Sequence, residues 1–524
     1  MTLPPDVTGS RPSLRQGQSL DGDWEFRHER SPNWRVVRVP GPWQTQVPEL
    51  ALSFGRATYR RRFGLPEGWA GREVALRFGA VSDLATVRVN GVEVARHQGG
   101  YLPFEAVIPG DLLAEDNEVE VEAHLPDAAR TGEAPDFAEI PHGKQSWYGP
   151  LGGLWQSVSL EARHPAHVRS LRLAPHWPEG RLAVVARLSR PVEGTLALEV
   201  RDPAGAVVHA ETLPVSGDAA RCEVLLGDVA PWSPDSPALY AVQATLSADG
   251  AVTDVVHEAF GFRSIEARDG FLHLNGQPLY LRGALDQDYY PDGSGTAPSL
   301  ELLEDQLRKA KAMGLNCLRV HIKVPDPRYH EVADRLGMLV WAEIPNVETW
   351  THGSAARLKA TMEGILDRDR NHPSIVIWTL INEDWGTRLR ESAEQRAWIA
   401  DLYGWLKAED PLRLVVDNSA CFPNGHVRTD IDDYHYYRTV LDRAVEWQAL
   451  TDEFAGRPAW SFSGEAEASR TGDEPLIVSE FGVWGLPDPA LLRGEDGRDP
   501  WWMPYGATWG EGAAIPQGIE ARFG

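Results

Sequence analysis

The chain has 524 residues, and its 51 Lys and Arg against 76 Asp and Glu give a formal charge of −25 at neutral pH. At roughly 100–200 residues per domain, this length predicts about two to four domains. The negative charge argues against nucleic acid as a partner, because phosphates would be repelled. It argues equally against docking on anionic membranes.

Cysteine usage and the first residues indicate the cellular setting. Cys222, Cys317 and Cys421 are far apart and show neither metal-ligand nor disulfide spacing, which is typical of reduced thiols in a cytoplasmic protein. The N-terminal residues MTLPPDVTGSRPSLRQ lack the apolar core of a signal peptide, and no run of about 18 apolar residues could span a bilayer. We expect a cytoplasmic protein without a membrane segment, metal or other cofactor, and a homo-oligomer is left open.

The first half of the chain shows the period-two pattern of β-strands. In residues 1–163, alternating runs such as WRVVRV and EVALRF place apolar side chains on one face, and Asn90-Gly91 is a preferred two-residue hairpin loop. This pattern predicts a β-sandwich. Residues 164–263 continue with strand-like runs between Pro, Gly and Asp turns, which favours an immunoglobulin-like β-sandwich.

From residue 264 to residue 524, strand-like and helix-like runs alternate, which favours a parallel sheet covered by helices. One helix is predicted from Ser299 as N-cap to Gly314 as its stop, and another over about 387–409. Seven units in order favour a (β/α)₈ TIM barrel over an open doubly wound sheet, since no glycine-rich loop follows the first strand. Either the barrel is cut short after strand seven or an eighth strand is not recognised. The predicted strands are 279–285, 317–322, 339–344, 374–380, 413–417, 432–437 and 476–481.

Polar side chains follow the predicted barrel strands, at the end where such barrels place their functional groups. The set combines carboxylates, amides and aromatic rings, which is what a sugar-binding site requires. Its members are Asp286, Arg319, His321, Glu343, Asn382, Glu383, Trp385, Asn418, Tyr434, His435, Tyr436 and Glu480.

Two of these glutamates point to glycoside cleavage. That reaction needs one carboxyl group to protonate the leaving oxygen and another to attack the anomeric carbon or activate water. Glu383 and Glu480 follow strands four and seven, which lie across a barrel from one another, so both could face one sugar ring. A single strand-end glutamate such as Glu343 would more often form a salt bridge.

The chain resembles glycoside hydrolase family 2, which contains β-galactosidases, β-glucuronidases and β-mannosidases. SLDGDWEFRHERSPNWRVVRVPGPWQ, the TVRVNGVEV hairpin and GGLWQSVSLE are similar to its jelly-roll sugar-binding domain. PWSPDSPALY resembles the end of its immunoglobulin-like domain, and GFRSIEARDGFLHLNGQPLYLRGA the entry to its barrel. The resemblance implies a jelly roll at 1–163, an immunoglobulin-like domain at 164–263 and a catalytic barrel at 264–524.

The same resemblance implies roles for individual residues. Asn382 would bond the sugar 2-hydroxyl, Glu383 would be the acid/base and Glu480, in IVSEFG, the nucleophile. Arg319 would support the nucleophile together with a strand-six tyrosine, for which Tyr434 and Tyr436 are both candidates. Trp484, just past the nucleophile, would form the floor of the sugar site.

Other contacts complete the expected site. The first barrel strand reads GALDQDYYP and departs from the family pattern, so Asp286 stands where the sugar is selected and no particular sugar is implied. His321 and His435 are expected to contact sugar hydroxyls rather than a metal, because no third ligand has metal spacing. The expected substrate contacts also include Glu343, Trp385 and Asn418, and the loop IPHGKQSWYGP of the first domain is a further candidate.

These features predict a retaining glycoside hydrolase that is exo-acting on a β-glycoside. Glu480 should be ionised beside Arg319, whereas a Trp-lined, less polar setting should raise the pKa of Glu383 and keep it protonated. Retention requires the two carboxyl groups to lie about 5–5.5 Å apart. The alternatives are a non-catalytic carbohydrate-binding protein and a transglycosylase that uses the same two glutamates.

Overall fold

The protein is described here by a computed structural model covering residues 14–127, 135–421, 423–437 and 444–481. A two-sheet β-sandwich comes first, a five-stranded antiparallel sheet follows, and parallel strands alternating with helices complete the described chain. In the described residues, no helix is both long and apolar enough to cross a bilayer.

The first unit contains ten strands in a four-stranded and a six-stranded sheet, with orders β1-β10-β5-β8 and β3-β2-β4-β9-β6-β7. Asn90 and Gly91 both have positive φ between β6 and β7, so the hairpin predicted from this dipeptide is confirmed. Two four-residue helices, α1 (Trp43–Gln46) and α2 (Gln145–Tyr148), interrupt the loops. The strands are β1 (Gln16–Ser19), β2 (Gly22–His28), β3 (Ser31–Val39), β4 (Gly55–Gly64), β5 (Glu73–Phe78), β6 (Leu84–Val89), β7 (Val92–Gln98), β8 (Phe104–Ile108), β9 (Asp116–Leu125) and β10 (Val158–Arg163).

The second unit is one five-stranded antiparallel sheet in which the long strand β12 pairs with β11, β13 and β14. Alternate residues of β12 and β14 are buried, so one face of the sheet carries the core and the other faces outward. Its strands are β11 (Val168–His176), β12 (Arg181–Arg201), β13 (Val207–Leu225), β14 (Tyr240–Ala248) and β15 (Ala251–Phe260).

The third unit opens with a small antiparallel sheet and continues as alternating strands and helices. Strands β19 to β23 pair in parallel in strict chain order, and β24 pairs in parallel with β25. A parallel bridge between Ala420 and Tyr434 links the two groups. The elements are β16 (Ile265–Arg268), β17 (Phe271–Leu274), β18 (Gln277–Leu279), β19 (Gly283–Asp286), α3 (Leu300–Ala312), β20 (Cys317–Val320), α4 (Pro327–Leu336), β21 (Leu339–Glu343), α5 (His352–Asp369), β22 (Ile375–Asn382), α6 (Ala393–Glu409), β23 (Leu414–Ser419), β24 (Asp432–His435), α7 (Ala444–Ala455) and β25 (Leu476–Glu480).

Seven parallel strands in sequential order are the arrangement of a barrel and not of a doubly wound sheet, whose strand order reverses at a switch point. Every residue of β20, β21 and β22 is buried, as expected for strands covered on both faces. The question of an eighth strand falls on 482–524, outside the described residues.

The helix boundaries follow local capping chemistry. The Ser299 side chain accepts a hydrogen bond from the backbone N–H of Leu302, so α3 begins where the sequence predicts. The predicted start of α6 at about residue 387 is wrong by six residues. Ser392 caps this helix by accepting from the N–H of Gln395, and turns precede it.

Candidate active site

Arg319 on β20 lies at the centre of a polar cluster at the C-terminal ends of the barrel strands. Its Nε donates to Glu343 at the end of β21, and its Nη2 donates to Asn382 Oδ1 at 3.1 Å. Its Nη1 lies 3.1 Å from Glu480 Oε1. Burial would lower the pKa of Arg319, but Glu343 and Glu480 raise it, so the guanidinium stays cationic.

Glu480 ends β25 and is 5% exposed. The Tyr437 hydroxyl donates to its Oε2, while its Oε1 has no hydrogen bond among the described residues. Burial would raise the pKa of this carboxyl, but His435 and the Arg319 cation lower it. Glu480 is therefore an ionised, oriented carboxylate with one oxygen available.

The tyrosine hydroxyl that contacts the Glu480 carboxylate is that of Tyr437, whereas Tyr436 contacts Glu480 through its backbone N–H, which donates to the Glu480 C=O at 2.8 Å. Tyr434 packs against Trp460 at 4.6 Å and Tyr436 against Trp447 at 5.0 Å between ring centroids. The prediction that one of them supports the nucleophile is wrong, because their rings face the α7 side of the strand. Tyr437, two residues after His435, takes that place.

Glu383 follows β22 in an unusual backbone conformation. Glu383 and Asp384 have φ values of 50° and 56°, a left-handed region that non-glycine residues rarely adopt. The N–H of Glu383 donates to Ser419 C=O, and the N–H of Trp385 donates to Asn382 C=O, both at 2.8 Å. These bonds hold a turn that carries the Glu383 side chain, and such strain is common at functional sites.

His435 at the end of β24 bridges the two glutamates. Its Nδ1 lies 2.8 Å from Glu383 Oε1 and its Nε2 lies 3.3 Å from Glu480 Oε1. Nε2 also lies 2.8 Å from the Ser419 hydroxyl, which donates to Asp433. One carboxylate oxygen of each glutamate and one His435 nitrogen all lie within 4.8 Å of one another.

The expected protonation of Glu383 needs correction. Burial would raise the pKa of this carboxyl, but the hydrogen bond and charge of His435, followed by Lys144, lower it to about 2. The expectation of a raised pKa weighed only the nonpolar surroundings and missed the histidine 2.8 Å away. Without substrate, Glu383 is therefore ionised at neutral pH.

Asn382 offers an unused donor beside this pair. Its Oδ1 accepts from Arg319, while its Nδ2 is buried and has no hydrogen-bond partner among the described residues. A buried amide N–H without a partner carries a free-energy cost unless a ligand satisfies it. The arrangement suits the expected contact with a substrate hydroxyl.

Glu343 and His321 contact each other, and Glu343 also binds Arg319. Glu343 Oε1 accepts from Arg319 Nε, and Glu343 Oε2 lies 3.1 Å from His321 Nδ1, so we assign Glu343 a positioning role rather than the expected sugar contact. Burial lowers the pKa of His321 well below its ordinary value, which keeps the ring neutral.

Two other residues that were expected to contact substrate, Asn418 and Asp286, form hydrogen bonds within the protein. The Asn418 amide is fully buried, donating to Asp384 Oδ1 and accepting from the N–H of Asp384, so it fixes the turn after β22 and the expected sugar contact is wrong. Asp286 accepts from Tyr329 and from the N–H of Asp288, and its role in sugar selection stays a prediction. Trp484 lies outside the described residues.

A loop of the first domain reaches the barrel mouth. The N–H groups of His142 and Gly143 donate to Asn346 C=O in the loop after β21. Gly143 has a φ of +59°, and a Cβ there would lie 2.1 Å from the carbonyl oxygen of Ile322, so only glycine permits this close approach. The loop then presents Lys144 toward the glutamates.

Lys144 Nζ lies over two indole rings, 4.4 Å from the centroid of Trp147 and 5.0 Å from that of Trp385. Burial lowers the pKa of this amine, and Glu480 and Glu383 partly offset that effect. Lys144 forms no ion pair within 4 Å among the described residues. It is a half-buried cation held by aromatic faces at the mouth of the site.

The structure thus brings together most of the predicted cluster and adds residues that the sequence analysis did not single out. Tyr437, Ser419 and Asp433 are the additions, and all three act on Glu480 or His435. Glu383, His435 and Glu480 could geometrically hold a metal ion, but an ion there would occupy both glutamates that a sugar needs. The predicted residues that meet are Arg319, His321, Glu343, Asn382, Glu383, Trp385, His435 and Glu480.

The fold and the site define a class of protein, a parallel (β/α) barrel with paired strand-end glutamates preceded by two β-domains. Family models agree with that class along the chain. The sugar binding domain of glycosyl hydrolases family 2 matches residues 16–126, the family 2 domain matches 166–263 and the family 2 TIM barrel domain matches 265–492. The chain belongs to glycoside hydrolase family 2.

Relatives within the family differ in length. The chain is 27% identical to a β-galactosidase of Lactobacillus delbrueckii subsp. bulgaricus over 75% of this chain and 45% of that protein. It is 26% identical to a β-glucuronidase of Streptococcus agalactiae over 90% of this chain and 83% of that protein. The chain spans about half the length of the β-galactosidases it matches.

Solved structures share the fold. A β-glucuronidase of Ruminococcus gnavus in complex with D-glucuronic acid superposes with a TM-score of 0.76 at 19% identity, covering 95% of this chain and 87% of that one. A putative β-galactosidase of Bacteroides fragilis superposes with a TM-score of 0.74 at 23% identity, covering 93% and 74%. At these identities the likeness concerns the fold alone.

Proposed function

We propose that this protein is a retaining glycoside hydrolase that removes a terminal β-linked sugar by double displacement. The observation that carries the proposal is the approach of Glu383 and Glu480, which have carboxylate oxygens within 4.8 Å of one another. That closeness favours a retaining enzyme, whose carboxyl groups lie about 5–5.5 Å apart, over an inverting enzyme, whose carboxyl groups lie about 6.5–9.5 Å apart.

Glu480 is the nucleophile in this proposal. Its Oε1 is free of hydrogen bonds among the described residues and attacks the anomeric carbon, while Oε2 is held by Tyr437. Arg319 keeps the carboxylate ionised. Attack forms a glycosyl ester on Glu480 and breaks the bond to the aglycone oxygen.

Glu383 handles the proton. For the first step Glu383, whose Oε1 lies 2.8 Å from His435 Nδ1, must carry a proton, which it gives to the aglycone oxygen as the bond to the sugar breaks. Glu383 is then a carboxylate and takes a proton from water, whose oxygen attacks the ester and restores Glu480. Two inversions at the anomeric carbon give net retention.

Two groups fit the substrate. Asn382 Nδ2 has no described partner and can donate to the 2-hydroxyl of the sugar. Between the two sugar classes named by the relatives, the ammonium of Lys144 favours glucuronides, because a sugar carboxylate is a natural ion-pair partner for a cation without one. Trp147 and Trp385 hold that cation in place.

Azide rescue tests the assignment of the nucleophile. We expect Glu480→Ala to abolish release of nitrophenol from nitrophenyl β-glycosides, and azide to restore it with an inverted α-glycosyl azide as product, because azide enters the space of the lost carboxylate. Glu363→Ala, an exposed position on α5, is the matched control and should keep full activity. Unimpaired hydrolysis by Glu480→Ala would end the proposal.

A further inference from the structure

A second cleft lies away from the glutamates, where all three units of the protein meet. Its volume is about 840 Å³, within the range of small-molecule sites. The first unit contributes Asp83 and Leu102, and helix α5 contributes Thr361, Gly364 and Arg368. The remaining wall is the outward face of the sheet formed by β11, β12 and β13.

Strand register explains why arginines gather on that wall. Arg187 on β12 pairs with Ser170 on β11 and Ala219 on β13, and Arg221 lies two residues along β13 from Ala219. Residues two apart on a strand share a face, so Arg187 and Arg221 project on the same side as diagonal neighbours, with Cα atoms about 7–8 Å apart. A β-bulge between Val168 and Ser170 adds Arg169 at the rim.

The charges of this cleft contrast with the rest of the chain. Seven arginines and four acidic residues line it, although the protein carries a net charge of −25. Arg172 pairs with Asp367, but the side chains of Arg169, Arg187 and Arg221 form no ion pair or hydrogen bond with other described residues. Three exposed guanidinium groups therefore face one cavity without an ion-pair partner among the described residues.

A buried donor on the opposite wall gives independent support. The Arg368 side chain is only 9% exposed and binds Asp369 through Nε and Nη2. Its Nη1 is buried and has no partner among the described residues. A guanidinium N–H left unsatisfied is costly, and a ligand anion in the cleft is a partner that would satisfy it.

We propose that this three-domain cleft binds an oligophosphate, a chain of phosphate groups that spans Arg187 and Arg221. Guanidinium forks match phosphate oxygens in pairs, and two arginines at this spacing suit more than one phosphate group. No Trp, Tyr or Phe is among the described residues that line the cleft, where His97 is the one aromatic ring, so the lining favours a charged ligand over a sugar face or a base that needs a broad stacking surface. The site is independent of the proposed glycosidase reaction.

Calorimetric titration of the whole protein with inorganic tripolyphosphate tests the proposal. We expect saturable one-to-one binding to the parent protein and at least a tenfold weaker affinity for Arg187→Gln/Arg221→Gln, since each lost charge-assisted contact costs about tenfold. The control is Arg38→Gln/Arg190→Gln, which removes the same charge from exposed arginines outside the cleft and should bind as the parent does. Sulfate at equal ionic strength should bind more weakly, since it presents a single tetrahedral group.

A second variant keeps the test decisive if the double variant folds poorly. Ala219→Glu places a carboxylate opposite Arg187 on the same face, and we expect it to abolish tripolyphosphate binding while the near-UV circular dichroism stays that of the parent. Absence of saturable binding by the parent protein would overturn the proposal. Equal loss in the control, or preference for a sulfated disaccharide over tripolyphosphate, would overturn it as well.

Discussion

The two glutamates occupy matching places in the barrel, each at the end of a strand, yet their surroundings differ. On the nucleophile side, Glu480 is held by Arg319 and Tyr437. On the acid side, Glu383 sits on a left-handed turn and has His435 as its main charged contact. Both carboxylates lie beside His435, but among the described residues only Glu480 also has the permanent Arg319 cation and the Tyr437 hydroxyl as partners.

That difference supports the roles proposed for the two glutamates. A nucleophile must stay ionised throughout, and a cationic arginine cannot release its proton to the glutamate in the working pH range. An acid/base must change its charge twice in each cycle, and Glu383 has no arginine or lysine within ion-pair distance among the described residues, since its 2.8 Å contact is to the His435 imidazole. The asymmetry of partners, rather than the identity of the residues, separates the two functions.

The largest expected effects come from removing each carboxylate in turn. Glu480→Ala should lower kcat by about 10⁴-fold or more with any leaving group, because the covalent step is lost. Glu383→Ala should lower it by about 10²–10⁴-fold for an alkyl glycoside, which needs general-acid help. The first step with a dinitrophenyl glycoside should be nearly unaffected, since that leaving group departs without a proton.

Burst-phase kinetics distinguish the two sides. Glu383→Ala should show a rapid burst of dinitrophenol followed by slow turnover, because deglycosylation lacks its base, and Glu480→Ala should show none. A burst in the Glu480 variant, or its absence in the Glu383 variant, would reverse the assignment.

The contact between Tyr437 and Glu480 gives the next largest effect. A hydrogen bond to a charged group is worth about 1.5–3 kcal/mol, so Tyr437→Phe should lower kcat roughly 10- to 100-fold. Tyr436→Phe is the matched control, because that ring packs on Trp447 and should retain nearly full activity. Equal losses in both variants would show that the phenol of Tyr437 has no special role.

The tyrosines also show how far the sequence could be read. The strand-end positions of Glu383 and Glu480 could be predicted because apolar runs and capping residues locate the strands. The tyrosine beside the proposed nucleophile could also have been predicted, because residues two apart along a strand, all odd-numbered or all even-numbered, lie on the same face. His435 and Tyr437 have one parity and Tyr434 and Tyr436 the other, so accepting His435 as a site residue should have selected Tyr437.

Other features had no local signal. The left-handed φ of Glu383 and the contact of His435 with it depend on where β22 and β24 end relative to one another. The closeness of Lys144 to the glutamates depends on how one domain packs against another. A pKa follows from such distances, which explains why the direction expected for Glu383 was wrong while that for Glu480 agrees with its contacts.

Lys144 interacts with both glutamates and offers a test of substrate choice. Lys144→Met should raise KM for nitrophenyl β-glucuronide about tenfold, because one charge-assisted contact is lost, and change KM for the β-galactoside much less. Lys359→Met is a close control, since that lysine also lies 5.0 Å from an indole centroid, that of Trp405, but belongs to the exposed surface of α5. An equal change in KM for the glucuronide and the galactoside would show that Lys144 does not recognise a sugar carboxylate.

The smallest effect concerns stability as a function of pH. The Glu383 pKa is lowered to about 2 from an ordinary 4.5, so its ionisation stabilises the folded state above the unfolded pKa, and this contribution fades as pH falls from about 4.5 toward 2. The difference in urea midpoint between the parent protein and Glu383→Gln should therefore be constant above about pH 5.5 and shrink below about pH 4.5. In a His435→Asn background, the folded-state pKa of Glu383 should lie closer to its ordinary 4.5, so the pH-dependent part of this difference should shrink. A difference that stays constant down to about pH 3, and that is unchanged by removing His435, would mean that the imidazole does not hold Glu383 ionised.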